Sequence, residues 1–134
     1  MTPFGVASEE VTNDLRNRLG AVGEGLAAEH LARLGYEIVE RNHRTRWGEL
    51  DIIAFDGRTL VFCEVKARRA GGSAGGPFDA VGPAKRSQVR RMAGAWLAQR
   101  RDRPFATEIR FDAIGVTLDA RGQLLALEHL EGAF

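Results

Sequence analysis

The chain has 134 residues, of which 44% are hydrophobic and 28% charged, a composition typical of one soluble globular domain. It has one cysteine and no apolar run approaching the ~20 residues of a membrane span, so we expect no internal disulfide, no membrane association and a cytoplasmic location. The net charge of +1 conceals an asymmetry, because residues 41–103 carry 14 Lys and Arg against 6 Asp and Glu. A basic middle segment is typical of proteins that bind polyanions.

The first predicted element is a helix over residues 8–34, where apolar side chains recur every three or four positions. Gly20, Gly23 and Gly25 would weaken an isolated helix, because glycine gains too much backbone freedom on unfolding. We therefore expect this helix to pack closely on a sheet. Residues 1–10 are expected to be flexible.

The rest of the chain predicts five strands and a second helix. The helix spans 83–100, and its apolar face contains Trp96, which we expect in the core. The strands are predicted at 36–43, 49–55, 59–67, 107–118 and 122–130. Asp56-Gly57 is a signal for a two-residue hairpin turn, and the glycine-rich loop after residue 67 is expected to be flexible over 69–78. The order predicts a single α/β domain over 1–134, with a mixed sheet of about five strands flanked by helices.

The third strand, TLVFCEVKA, is built for burial but carries two charges. Side chains alternate along a strand, so Glu64 and Lys66 share one face with Leu60 and Phe62. Unpaired charge in a buried strand is costly. One explanation is an exposed edge strand with a surface ion pair, but the apolar neighbours argue against it.

A functional explanation comes from the preceding strand. With a two-residue turn at Asp56-Gly57, Glu49 lies opposite Glu64, and Asp51 lies opposite Phe62 as a diagonal neighbour of Glu64. Crowded carboxylates are typical ligands of Mg²⁺ or Mn²⁺, which prefer oxygen. We expect Asp51, Glu64 and the backbone carbonyl of Val65 to hold such a metal.

Lys66 lies beside this predicted metal, where its ammonium could orient a water or stabilise charge on a phosphorane. A structural alternative for Asp51 is an ion pair with Arg46 or Lys66. Glu49 is interpreted as a structural or supporting acid rather than a ligand.

The spacing from Asp51 to Glu64-Val65-Lys66 resembles the Asp…Glu-x-Lys core of the restriction-endonuclease-like nucleases. The fuller pattern GEGLAAEHLARLGYEIVERNHRTRWGELDIIAFDGRTLVFCEVKAR, from Gly23 to Arg68, closely resembles the uncharacterised bacterial YraN family, which is similar to archaeal Holliday junction resolvases. One departure is Leu50, which stands where many members of the superfamily have proline. The resemblance implies a restriction-endonuclease-like fold.

The resemblance also implies roles for particular residues. Glu24 would be an additional acid at the metal, Asp51 and Glu64 the principal ligands, and Lys66 the catalytic lysine. It implies a metal-dependent endonuclease that hydrolyses phosphodiesters in DNA, with branched or junction DNA as substrate. It further implies a homodimer, because symmetric cutting of a junction requires two sites.

Basic residues near the predicted site are expected to contact nucleic-acid phosphates, and Trp47 is a candidate for stacking on a base. The predicted contacts are Arg44, Arg46, Arg68, Arg69, Lys85, Arg86, Gln88, Arg90 and Arg91. Two other functions fit the same sequence. One is a non-catalytic nucleic-acid-binding module with a nuclease-like fold, and the other is a protein-interaction scaffold without nucleic-acid affinity.

Overall fold

A computed structural model describes residues 4–71 and 81–134, with the side chains of the first helix described from Asn17 onward. The elements are α1 (Phe4–Arg33), β1 (Glu37–Thr45), β2 (Gly48–Phe55), β3 (Thr59–Arg69), α2 (Pro83–Gln99), β4 (Glu108–Leu118) and β5 (Leu124–Leu130). Both helices and all five strands predicted from the sequence are confirmed, although α1 begins earlier than predicted. The flexibility predicted for 1–10 and 69–78 stays a prediction, and residues 1–3 and 72–80 lie outside the described residues.

The strands form one mixed sheet in the order β1-β2-β3-β4-β5. Neighbouring strands are antiparallel except β3 and β4, which are parallel. Two parallel neighbours need a long crossover connection, and α2 lies within it. The predicted α/β architecture is therefore confirmed. β3 occupies the centre of the sheet, so an edge strand does not explain its charges.

The sheet separates two hydrophobic cores because side chains of β3 alternate between its faces. Leu60 and Phe62 belong to the core with α2, whereas Val61 and Cys63 belong to the core with α1. Trp96 is fully buried in the α2 core, as predicted, with its ring edge-to-face against Phe62 at a centroid distance of 5.7 Å. The apolar alternation of β3 stops after Cys63, where Glu64 begins the part of the strand that forms the candidate site.

The close approach of α1 to the sheet is confirmed at one of its three glycines. A Cβ atom built on Gly23 would lie 2.5 Å from the Cβ of Ala67 in β3. Among the described residues, no atom from outside the neighbouring helix backbone lies within 4 Å of a Cβ built on Gly20 or Gly25. Gly23 thus brings α1 against the charged end of β3 and places the next residue, Glu24, beside it.

The predicted two-residue turn between β2 and β3 is wrong. Phe55 pairs with Leu60, so four residues make the connection. The Asp56 side chain accepts hydrogen bonds from the backbone N–H groups of Arg58 (2.9 Å) and Thr59 (2.6 Å), which stabilises the wider turn. The register consequently shifts by two residues. Faces are unchanged by an even shift, but position 51 now stands across from position 64 instead of diagonal to it.

Candidate metal centre

The candidate site lies in a fork between two neighbouring strands. The ladder between β2 and β3 ends at the pair Ile52–Cys63. Beyond it, β2 remains paired with β1, and β3 remains paired with β4. Asp51 lies in the opening, where its Oδ2 accepts a hydrogen bond of 2.7 Å from the backbone N–H of Val65. The fork therefore holds Asp51 in place through the backbone of the opposing strand.

The fork opens into a pocket of about 350 Å³. Its lining combines carboxylates, two lysines and apolar groups: Glu49, Asp51, Glu64, Val65, Lys66, Val81, Lys85, Ala113, Ile114 and Phe134. The pocket thus brings together the three residues predicted to be catalytic, Asp51, Glu64 and Lys66. Lys85, predicted only as a phosphate contact, also lines it.

Three carboxylates from two elements meet beside the pocket. Glu24 of α1 and Glu49 and Asp51 of β2 each offer an oxygen, and these oxygens lie within 4.8 Å of one another. The sequence predicted Glu24 and Asp51 as ligands but assigned Glu49 a supporting role. The sequence could indicate that Glu49 and Asp51 share a face of β2, but not that α1 would bring Glu24 to the same point.

Glu64 lies outside that triplet but lines the same pocket. Its Oε2 is 3.0 Å from the Nζ of Lys85 at the start of α2. Its Oε1 is buried and has no hydrogen-bond partner among the described residues. A buried carboxylate oxygen without a partner is energetically unfavourable and indicates a position where a further cation or donor would be stabilising.

Burial and mutual repulsion raise the pKa values of the clustered acids. Burial, followed by the charge of Glu64, raises the pKa of Asp51 to about 7, against the opposing effect of the Val65 N–H. Burial also raises the pKa of Glu64, although Lys85 acts in the opposite direction. For Glu24, burial and then the charge of Glu49 raise the pKa. These carboxyls therefore ionise less readily than free ones, and a cation bound beside them would favour their ionised forms.

These features fit a hard divalent cation. The donors are carboxylate oxygens of Glu24, Glu49 and Asp51, which lie close together, and Glu64 and Val65 line the pocket that Glu49 and Asp51 share. Two arginines with exposed side chains lie at the rim of the site. Arg41 Nη2 is 3.9 Å from Glu24 Oε2, and Arg44 Nε is 3.6 Å from Glu49 Oε2. The partially solvated ion pairs at the rim compensate little of the charge inside.

The remaining predicted nucleic-acid contacts divide into two groups. Arg44, Arg46, Arg69, Arg86 and Arg91 are exposed. The other three, of which Arg90 is also exposed, donate hydrogen bonds within the protein. Arg68 donates to Thr117 Oγ1 (3.3 Å), Gln88 donates to the Trp47 carbonyl, and Arg90 donates to the Phe134 carbonyl (2.9 Å). The sequence did not indicate these internal bonds, because each joins residues more than 40 positions apart.

The family of the chain follows from comparison with known proteins. The uncharacterised protein family UPF0102 matches residues 23–116, which include every acidic residue of the site and both lysines. The chain belongs to this family. The resemblance to the YraN family is thereby confirmed.

Individual UPF0102 proteins are similar over most of their length. That of Mycobacterium avium is 48% identical over 123 residues, which cover 90% of this chain and 93% of the relative. That of Streptomyces griseus is 47% identical over 117 residues, covering 87% and 96%. That of Frankia casuarinae is 44% identical over 120 residues, covering 89% and 98%. Within the part of this UPF0102 protein that the structure describes, no helix is long and apolar enough to cross a membrane.

Proposed function

We propose that this UPF0102 protein is a metal-dependent endonuclease of the restriction-endonuclease-like superfamily. The observation that carries the proposal is the convergence of Asp51, Glu64 and Lys66 in one pocket, with a carboxylate oxygen of Glu24 within 4.8 Å of one from Asp51. The Asp51-to-Lys66 spacing resembles that superfamily's core. Surface carboxylates are common, but a cluster in which burial raises the pKa of one member to about 7 is typical of functional sites.

The acidic residues would hold Mg²⁺ or Mn²⁺, with Asp51, Glu64 and Glu24 as carboxylate ligands and the Val65 carbonyl as a neutral one. The bound ion would polarise a phosphodiester and favour a hydroxide nucleophile near neutral pH. Lys66 and Lys85 supply positive charge on the pocket wall, where they would stabilise the negative charge that grows on the phosphorus oxygens. The Val65 N–H keeps Asp51 oriented.

The proposed substrate is DNA, in particular branched or junction DNA, because of the similarity to archaeal Holliday junction resolvases. The basic middle segment supports a polyanionic substrate. Symmetric cleavage of a junction would require two copies of the site, so we propose that the active form is a homodimer.

The test is cleavage of linear, flapped and four-way-junction DNA with Mg²⁺, Mn²⁺ or EDTA. Asp51→Asn and Glu64→Gln should abolish metal-dependent cleavage with folding intact. Asp56→Asn is the matched control, because Asp56 follows the far end of the same strand and should leave cleavage unchanged. If the wild-type protein binds these DNAs but cuts none of them with either metal, it is a binding module. If it neither binds nor cuts, the scaffold alternative replaces both.

A further inference from the structure

A second groove lies next to the metal pocket, beside the turn between β1 and β2. Its volume is about 510 Å³, and it is lined by His43, Arg44, Thr45, Arg46, Trp47, Ala95 and Gln99. A smaller cavity of about 320 Å³ shares Arg44 and Thr45 with this groove. The same cavity shares Glu49 with the metal pocket. The groove therefore continues from the acidic site along the protein surface.

Two arginines lie over the ring of Trp47 in this region. The guanidinium carbon of Arg46 is 4.5 Å from the ring centroid, and that of Arg91 is 5.7 Å from it. Both distances are within the range of cation–π attraction. Neither arginine forms an ion pair with a carboxylate of the described residues. Both arginines are exposed, whereas Trp47 is partly buried, so the guanidinium N–H groups are the parts of this cluster most open to a ligand.

The turn that carries Arg46 and Trp47 is fixed to α2. Thr45 Oγ1 accepts a hydrogen bond from the Trp47 N–H (3.1 Å) and donates one to the Gly48 carbonyl (2.9 Å). The Gln88 side chain donates to the Trp47 carbonyl. Gly48 has φ +137°, and a Cβ there would lie 2.7 Å from Gln88 Nε2. The turn and the helix are thus held in register, so Arg46 and Arg91 present their charges from two rigid elements.

We propose that Arg46, Trp47 and Arg91 form a phosphate-binding shelf that holds the nucleic-acid backbone beside the metal pocket. The inference rests on the proposed function, since it assumes a phosphodiester substrate. The shelf contacts phosphate and not base edges, so it supplies affinity and orientation without sequence preference. The indole is the surface that positions the two guanidinium groups, which is a different role from the base stacking predicted for Trp47.

The experiment measures binding in EDTA, where cleavage does not occur, by fluorescence anisotropy of labelled duplex and four-way-junction DNA over a series of KCl concentrations. Arg46→Gln and Arg91→Gln should each reduce the slope of log K against log[KCl] by about 0.9, and the double variant by about twice that. Arg46→Lys with Arg91→Lys keeps the charge and should retain the slope, with weaker binding because lysine cannot form the planar contact.

Arg58→Gln is the matched control. Arg58 is an exposed arginine in the turn at the opposite end of β2, roughly 20 Å from the shelf for a strand rising about 3.3 Å per residue. It should leave the slope unchanged. Folding of each variant is checked by thermal unfolding.

The salt slopes and affinities of these variants distinguish the phosphate-binding shelf from base stacking and from a protein without nucleic-acid affinity. If the two glutamine variants bind with the same salt slope as Arg58→Gln, the shelf is wrong and the proposed nuclease function is unaffected. If Trp47→Leu abolishes binding while Arg46→Gln and Arg91→Gln do not weaken it, base stacking replaces the shelf. If the wild-type protein binds no nucleic acid, both proposals are overturned.

Discussion

Replacing Asp51 by asparagine should make the metal-free protein more stable at alkaline pH. The folded state raises the pKa of Asp51 from 3.8 to about 7, chiefly because the carboxyl is buried. Between these values the folded chain retains a proton that the unfolded chain has released. The free energy of unfolding must therefore fall as the pH rises from about 4 to about 7, and the loss is then complete. Asparagine keeps the shape of the side chain without the charge.

The size of the effect follows from the pKa shift. About three pKa units at about 1.4 kcal/mol each give a penalty of about 4 kcal/mol for the ionised carboxylate. The advantage of Asp51→Asn should be near zero at about pH 4, grow through about pH 6 and level off above about pH 7. Asparagine can still accept the Val65 N–H, so this bond is retained.

Urea unfolding in EDTA at a series of pH values measures this difference directly. Asp56→Asn is the control of opposite sign. Hydrogen bonds from the N–H groups of Thr59 and Arg58 lower the pKa of Asp56, so its ionised form stabilises the fold. The stability lost on its replacement should therefore grow as the pH rises to about 4 and stay constant above that pH. Parallel pH profiles for the wild type and Asp51→Asn would refute the reasoning, as would a less stable variant at about pH 8.

Two further predictions concern the fold around the site. Gly23→Ala should destabilise the protein by about 1–3 kcal/mol, because the new methyl group meets Ala67, whereas Gly25→Ala has open space and should stabilise α1 by up to about 1 kcal/mol. Asp112→Ala should cost about 3 kcal/mol, since it removes a fully buried carboxylate whose ion pair with Arg110 measures 2.8 Å. Urea unfolding at neutral pH measures all three, and equal stabilities of the two alanine variants in α1 would contradict the packing explanation.

The strand pattern was predictable from the sequence because it depends on local chemistry. The alternation of β3 follows from a two-residue side-chain period, and it correctly placed Glu64 on the face of Phe62. The three glycines likewise indicated that α1 packs closely on the sheet. They could not indicate which of them makes the contact, which is Gly23. The predicted turn was too short, which shifted the predicted register by two residues. Because a shift of two residues leaves each side chain on the same face, the prediction that Asp51 and Glu64 share a face was still correct.

Contacts between distant parts of the chain were not predictable in the same way. The ion pair of Lys85 with Glu64 depends on where α2 begins relative to β3. A partly buried chain of His30, His129 and Asp112 joins three elements, with 2.9 Å between His30 Nε2 and His129 Nδ1 and 2.7 Å from His129 Nε2 to Asp112 Oδ2. The sequence around each of these residues does not indicate its partner, because only tertiary packing brings the two together.

The proposed nuclease activity requires that the fork between β2 and β3 bind a divalent cation. Isothermal titration of the metal-free protein with Mn²⁺ tests it without requiring any nucleic acid. We expect one Mn²⁺ per chain, with affinity that rises as the pH increases to about 7 because Asp51 must lose its proton to become a ligand. Binding should be lost in Asp51→Asn and retained in Asp56→Asn. No Mn²⁺ binding by the wild-type protein at about pH 8, or equal binding by Asp51→Asn, would contradict the claim.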